Sequence, residues 1–349
     1  MRKKRILVAP LNWGLGHASR CIPIIKGLEA ENFEPILASD GNALLLLQKE
    51  FPHLKSFELP SYKVEYTKNG SNFKWKMMWD TPKLLNAIKA EKKVTKKLVE
   101  DLNLDGIISD NRFGVRYKHL KCVFITHQLN VLSGTTTYFS SKLHQKYIRK
   151  FDECWIPDAK GKKNLSGILG HLNKPDESVK YLGPISRFEK KDLPKKYDYL
   201  LLLSGPEPQR TILEELLLKE FAESKAKIIL VRGVIEENNR PSKMANIDIE
   251  NYRYGKELEE AVNSSEVVIS RSGYTTLLDL AKLEKKAFFI PTPGQFEQEY
   301  LAERLMNLGI APSCKQNDFK LSHLEEIRKY KGLKDIGFTN SFREFFALF

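Results

Sequence analysis

The sequence predicts an α/β fold of two domains, each an open, mostly parallel sheet with helices on its faces. Three observations predict it. Short apolar runs of buried-strand type recur along the chain, and most lead through a polar turn into a helical stretch, the rhythm of an open parallel sheet. A stretch with two prolines and a charge run, residues 184–196, interrupts the series near the middle, and a new apolar run starts after it. The length, 349 residues, favours two domains over one.

In the first domain, residues 4–9 read as strand one and 18–30 as a helix. Between them lies the loop 10–17, with Gly14, Gly16 and His17. Residues 33–38 and 56–59 read as further strands, with a helix at 43–50. Residues 62–97 hold ten lysines against three acids, together with Phe73, Trp75, Met77, Met78 and Trp79. Aromatics and methionines among lysines suit an interfacial contact, and equally a half-buried helix with a solvated basic face. Strands follow at 105–109, ending in Asp110-Asn111-Arg112, and at 122–126, ending in His127-Gln128. Residues 151–156 and 181–183 close the domain. The expected boundaries are 1–186, a linker at 187–196, a second domain at 197–335 and a crossing helix at 336–349.

The second domain opens with a strand at 199–203 that ends in Ser204 and Gly205. A helix at 211–223, a strand at 227–231 ending at Arg232, and a helix at 258–263 follow. Residues 267–298 form the stretch the chain is organised around. They run strand (267–269), turn (Ser270-Arg271-Ser272-Gly273), helix (Tyr274, Thr275 and Thr276 to about 283), strand (287–290), then the polar piece Gln295 to Glu299. In open parallel sheets ligands bind beyond the carboxyl ends of the strands, where both polar clusters fall.

The turn's chemistry suits a nucleotide diphosphate. Gly273 lets the backbone come close to a ligand. First-turn N–H groups and the hydroxyls of Thr275 and Thr276 can hold phosphate oxygens, and Arg271 can add a charge-assisted contact. Asp279 shares a helix face with Thr276 and can accept ribose hydroxyls. The plainer reading is a helix cap and a solvated carboxylate.

Composition narrows the classes. Hydrophobic content of 42% is enough for globular cores. No run of about 18 apolar residues exists to span a membrane. The start, Met1-Arg-Lys-Lys-Arg, lacks a signal-peptide pattern, and four scattered cysteines have no metal-ligand spacing, so a cytoplasmic protein with reduced thiols is expected. A net charge of +13 raises nucleic acid, but no nucleic-acid-binding motif is present. An anionic membrane surface, an anionic ligand or a plain solubility device remain.

Ser270 to Asp279 resembles the donor-binding signature of nucleotide-sugar glycosyltransferases of the GT-B fold, family 28. In that pattern a glycine stands six positions before an acidic residue, as Gly273 stands before Asp279. Aspartate here replaces the usual glutamate. Glu297, Gln298 and Ala302 fit the family's next signature. The resemblance implies two Rossmann-like domains facing each other across a cleft, with a C-terminal helix crossing back to the first. It implies a UDP-sugar as co-substrate, no cofactor, no metal and inversion at the anomeric carbon. Donor contacts would come from Gly16, Ser204, Gly205, Arg232, Arg271, Ser272, Gly273, Tyr274, Thr275, Thr276, Asp279, Gln295, Glu297 and Gln298. His17, after Gly-x-Gly, would be the base, with Asp110 assisting, and Asn111 and His127 would hold the acceptor. A lipid-linked acceptor and a peripheral place at the inner face of a membrane would suit residues 62–97.

Three other readings compete. Gly14, Gly16 and Asp40 imitate a dinucleotide fingerprint, but Ser19 replaces its third glycine. A nucleotide-sugar-binding partner subunit would lack a base, against His17. A nucleotide-sugar epimerase shares the fold but has a different first loop.

Overall fold

The computed structural model describes residues 2–62, 73–174, 176–205, 207–234, 241–338 and 341–349, and the side chains of 73–83 are not described. The residues fall into two compact units. Of the described residues, one unit takes those up to Arg187 together with the segment from Gly337 to Phe349, and the other takes those from Phe188 to Ile336.

The first unit holds β1 (Arg5–Pro10), α1 (Gly16–Ala30), β2 (Glu34–Ser39), α2 (Gly41–Glu50), β3 (Ser56–Glu58), α3 (Phe73–Leu102), β4 (Gly106–Asp110), β5 (Lys121–Ile125), α4 (Thr137–Ile148), β6 (Glu153–Ile156) and β7 (Val179–Tyr181). Among the described residues the strands form one parallel sheet in the order β3-β2-β1-β4-β5-β6-β7. Register is fixed by pairs such as Val8–Ile108 and Pro10–Asp110. Leu7, Ile107, Val8 and Ile108 are fully buried, which explains the unbroken apolar runs: a parallel sheet covered on both faces has no polar side. The order reverses between β1 and β4, so the loops after these two strands diverge and leave a crevice at their carboxyl ends.

In α3, Ile88, Glu91, Thr95 and Leu98 are buried, at helical spacing, while Lys89, Lys92, Lys93, Lys96 and Lys97 are exposed. For this half of the helix the solvated basic face is therefore the observed arrangement. The expectations for the side chains of Phe73, Trp75, Met77, Met78 and Trp79 lie outside the described residues.

The second unit holds β8 (Tyr197–Leu202), α5 (Gln209–Glu220), β9 (Ile228–Val231), β10 (Ser242–Met244), β11 (Ile247–Glu250), α6 (Gly255–Asn263), β12 (Ser265–Ser270), α7 (Tyr274–Lys282), β13 (Lys286–Phe289) and α8 (Phe296–Asn307). Its sheet runs β10-β11-β9-β8-β12-β13, with β10 alone antiparallel among the described strands. The order reverses between β8 and β12. The expected linker packs on this unit: Phe188 is 3% exposed, and the N–H groups of Glu189 and Lys191 donate to Glu259 and Asn263 of α6.

The end of the chain returns to the first unit. A single helical turn, α9 (Arg343–Phe346), does this rather than a helix over 336–349. Phe346 is 2% exposed and meets Phe33 edge-on at 5.9 Å, and Phe345 meets Trp155 at 5.6 Å. Two glycines make room. A Cβ on Gly27 would lie 2.7 Å from the Phe342 ring, and one on Gly106 would lie 2.3 Å from Phe349. Phe346→Ala should therefore cost about 3–5 kcal/mol of stability. Urea unfolding measures it, and a loss under about 0.5 kcal/mol, the level of an exposed site, would mean the tail is not part of this core.

Candidate active site

Four side chains from three elements meet at the crevice of the first sheet. His17 stands in the first turn of α1, directly after the loop from β1. Arg20 lies one turn on, on the same helix face. Asp110 is the last residue of β4, and His127 follows β5. Asp110 is fully buried, Arg20 is 2% exposed, His127 is 6%, and the His17 side chain is 14%.

The Asp110 carboxylate is the hub. Arg20 grips it with two parallel bonds, Nε to Oδ2 and Nη2 to Oδ1, both 2.5 Å. Such bidentate, charge-assisted pairs are the strong kind. His17 Nδ1 lies 2.7 Å from Oδ1, Asn111 Nδ2 donates to the same oxygen at 3.3 Å, and the Cys21 thiol approaches Oδ2 at 3.7 Å. Arg20 Nη1 reaches His127 Nδ1 at 2.8 Å. Burial alone would raise the Asp110 carboxyl, but Arg20 and His17 outweigh it and hold the group ionised, below the usual carboxylate range. For His17 burial is the largest influence and lowers its pKa below 6.5. Asp110 pulls the other way, and Arg20 and His127 add to the lowering. The imidazole is therefore neutral at pH 7 while a carboxylate orients it through Nδ1, the arrangement of a general base acting through Nε2.

The neighbouring carboxylate Asp40 is engaged elsewhere. It is 4% exposed, is salt-bridged to the buried Arg112, and accepts from Asn12. Glu91 completes that group, bonded by Arg112, by the Tyr62 hydroxyl and by the Gly114 N–H. Burial pushes the Glu91 carboxyl up to about 7. An Asp40 locked to arginine does not serve as the ribose acid of a dinucleotide site.

In the second unit the loops after β8 and β12 flank the point where strand order reverses. Ser204 and Gly205 are exposed at the end of β8, and Gly205 has φ +101°, a conformation that favours glycine. Gly273 caps α7 with φ −69° and ψ 139° and no side-chain cap. A Cβ there would meet nothing closer than Thr276 Oγ1 at 3.9 Å. The fold itself thus does not demand glycine at 273. Thr275 and Thr276 are half-buried beside it, and Asp279 lies 7% exposed one turn further in.

Several sequence-based expectations need correction here. Arg271 does not reach outward. It is 1% exposed, and its guanidinium donates to the carbonyls of Ile290, Pro291 and Gln209 and to Gln316 Oε1. It knits the ends of β12 and β13 to α5 instead of meeting a diphosphate. The Tyr274 ring is 2% exposed and belongs to the core, so only its backbone N–H can face a ligand. Gln295 Oε1 caps α8 by accepting from the Gln298 N–H. Gln298 Oε1 accepts from the Thr292 N–H, and Ser272, fully buried, donates to the Gln298 carbonyl at 2.7 Å. These bonds tie the two signatures together. Glu297 is half-buried in the first turn of α8, and Arg232 is held by Glu214 and Asn251.

Arg20 was not among the residues singled out from the sequence. Its signal was the three-residue step from His17, which places both on one helix face. Among the described residues no group of three or more metal-ligating side chains converges.

Residues 202–330 match the glycosyltransferase family 28 C-terminal domain. The chain is similar, at 25% identity over 91% of its length and 87% of the relative's, to the UDP-N-acetylglucosamine--N-acetylmuramyl-(pentapeptide) pyrophosphoryl-undecaprenol N-acetylglucosamine transferase of Buchnera aphidicola. The Haemophilus ducreyi protein of the same name is 25% identical over 70% of this chain and 68% of its own. Among solved structures, the glycotransferase of kitacinnamycin superposes with a TM-score of 0.63 at 13% identity, over 93% of this chain and 89% of that one.

Proposed function

This chain is a GT-B glycosyltransferase that resembles family 28, and on that premise we propose that it moves a hexose or N-acetylhexosamine from a UDP-sugar to an acceptor hydroxyl, with inversion and without a metal. The observation that carries the proposal is the neutral, carboxylate-oriented His17 in a domain that accompanies a family 28 C-terminal domain. The Buchnera aphidicola and Haemophilus ducreyi relatives are, by their names, UDP-N-acetylglucosamine-dependent transferases.

The C-terminal domain holds the donor. The N–H groups of the first turn of α7, with the hydroxyls of Thr275 and Thr276, take the diphosphate at the positive end of the helix dipole. As the glycosidic bond breaks, charge grows on the leaving diphosphate, and these fixed donors stabilise it without reorganising. Asp279 accepts the ribose hydroxyls, and Glu297 and the Gln298 amide nitrogen address the sugar. Arg271 has no part in charge stabilisation, since its guanidinium is spent inside the fold. The N-terminal domain supplies the base. His17 Nε2 removes the acceptor proton as the oxygen attacks the anomeric carbon, and the imidazolium so formed is stabilised by Asp110. Asn111 and His127 hold the acceptor. A lipid diphosphate-linked acceptor, of the kind named in the relatives, fits a protein with a net charge of +13 working at the inner face of a membrane.

UDP should bind with no divalent metal present. Asp279→Ala should weaken UDP more than it weakens inorganic diphosphate, because the lost contact is to ribose. Gly273→Ala should leave thermal stability unchanged and weaken both ligands. Calorimetric titration in chelator reads all three, and equal losses for UDP and diphosphate in Asp279→Ala would remove the ribose assignment.

His17→Ala should lower kcat about 10²–10⁴-fold with donor affinity nearly unchanged. Wild-type turnover in the variant would rule out His17 as the base.

On the membrane, the protein should co-sediment with anionic vesicles and not with neutral ones, and less so at high salt. Absence of binding to either would leave a soluble acceptor as the better reading.

A further inference from the structure

Helices α3 and α4 and the loop between β4 and β5 cover one face of the first sheet. Val94 and Leu98 of α3, Val115 and Tyr117 of the loop and Ile148 of α4 pack in one cluster with Ile107 and Phe124 of the sheet. The outward sides of the three elements therefore form one surface, and that surface is cationic. Neither residues 111–121 nor residues 137–150 include an acid. A cavity of about 290 Å³ opens there, lined by Lys92 and Lys96 of α3 and by Arg116, Tyr117, Lys118 and His119 of the loop. No carboxylate among the described residues lines it. Arg116 Nη1 donates to the Lys150 carbonyl at 3.3 Å, which brings the end of α4 beside the same loop.

These cations lack the partners that cations have elsewhere in the chain. Lys121, at the edge of the group, pairs with Asp152 at 3.1 Å, and Lys96 reaches Glu100 only at 3.7 Å. Lys92, Arg116, Lys118, Lys146 and Lys150 pair with no carboxylate among the described residues. Burial first, then Lys92, Arg116 and Lys146, lowers the Lys150 ammonium below its ordinary value, so the like charges are close enough to act on one another. Arg116 commits one of its five N–H donors to the protein, and its Nε is buried with no acceptor among the described residues. Arg112 and Arg271, by contrast, are spent on carboxylates and carbonyls inside the fold. A charged surface that serves only solubility mixes both signs and spreads them. Cations of one sign converging on a cavity raise a local positive potential, which a bound anion relieves.

We propose that this cavity is an anion site that takes a phosphate group, carried either by a soluble phosphate or diphosphate or by a phospholipid headgroup. Phosphate fits better than a carboxylate because it brings more charge and three acceptor oxygens to a group of several cations. The Arg116 fork suits two of those oxygens, and the lysines act as point charges around them. On α4, Phe139 and Leu143 are exposed and lie on one helical stripe with Lys146. A lipid would therefore meet apolar side chains next to the cations, whereas a soluble anion would use the cavity alone. The site belongs to the first unit and shares no residue with the loop after β12, so it stands whether or not the chain is a glycosyltransferase.

The test compares three forms of the full chain at fixed ionic strength: wild type, Lys92→Gln/Lys118→Gln, and Lys256→Gln/Lys334→Gln. All four lysines are exposed, so both double variants should fold, and the second removes the same charge from the other unit. One arm titrates inorganic diphosphate by calorimetry in saturating UDP, which occupies any donor site. The other arm measures co-sedimentation with phosphatidylcholine vesicles with and without phosphatidic acid. Binding in either arm is expected, weakened about tenfold or more in Lys92→Gln/Lys118→Gln, as loss of charge-assisted contacts does, and unchanged in Lys256→Gln/Lys334→Gln. Diphosphate binding identifies a soluble source, and binding confined to phosphatidic acid vesicles identifies a lipid one. Equal weakening in the two double variants would mean that only net charge matters and would overturn the site. So would the absence of binding in both arms, which would leave a solvated basic face. A failure of UDP to bind would count against the donor reading alone, because the lysine variants read the cavity directly.

Discussion

A carboxylate with no exposure to water costs several kcal/mol to bury, and it stays ionised only when charge and hydrogen bonds replace the solvent. Asp110 meets that condition through Arg20, His17 and Asn111. The partners come from α1 and from the residue after β4, and the guanidinium reaches on to the loop after β5. One ion pair therefore fixes three loops at the point where strand order reverses. Removing either member would leave the other charge buried and unpaired, a loss of about 3–5 kcal/mol. That cost keeps the two charges paired in the ligand-free site.

The second domain solves a related problem differently. Its buried cation, Arg271, pairs with no carboxylate among the described residues. It is held by three backbone carbonyls and one amide oxygen, and burial lowers its pKa to about 10, so it remains charged at pH 7. In the first domain a buried arginine organises acid–base groups. In the second it ties strand ends together, beside a glycine-capped helix end with two hydroxyls. The Ser272 and Gln298 bonds extend this frame, so the loop after β12 and the start of α8 are held together as one wall.

The strands were readable because buried parallel strands are unbroken apolar runs, as in 6–9, 107–108 and 267–269. The pair β10 and β11 was not: Ser242–Met244 is exposed throughout, and β11 alternates buried Ile247 and Ile249 with Asp248 and Glu250 over only four residues. Helix α4 was missed for a similar reason: it buries only Ser141 and Ile148, and Tyr138, Phe139 and Leu143 face solvent. His17, Asp110 and His127 were legible as polar residues at strand ends. Arg20 was not, because a charge inside an amphipathic helix reads as surface until the fold shows it buried. Arg271 erred the other way: beside a donor loop it read as a ligand contact, and only the carbonyls that converge on it reveal a structural role. Gln295 likewise looks like a sugar contact in sequence and is a helix cap in the fold.

The central claim is that burial, aided by Arg20, wins over Asp110 and keeps His17 neutral, hence a base. A histidine that merely forms a salt bridge with a carboxylate behaves in the opposite way and titrates above its ordinary value. The measurement that separates the two is an NMR titration of the His17 ring Cε1–H resonance in the ligand-free protein. The midpoint should fall below 6.5 and rise when Arg20 is replaced by glutamine. A midpoint above 7 in the wild type would make His17 a salt-bridged cation at physiological pH and contradict its role as the base.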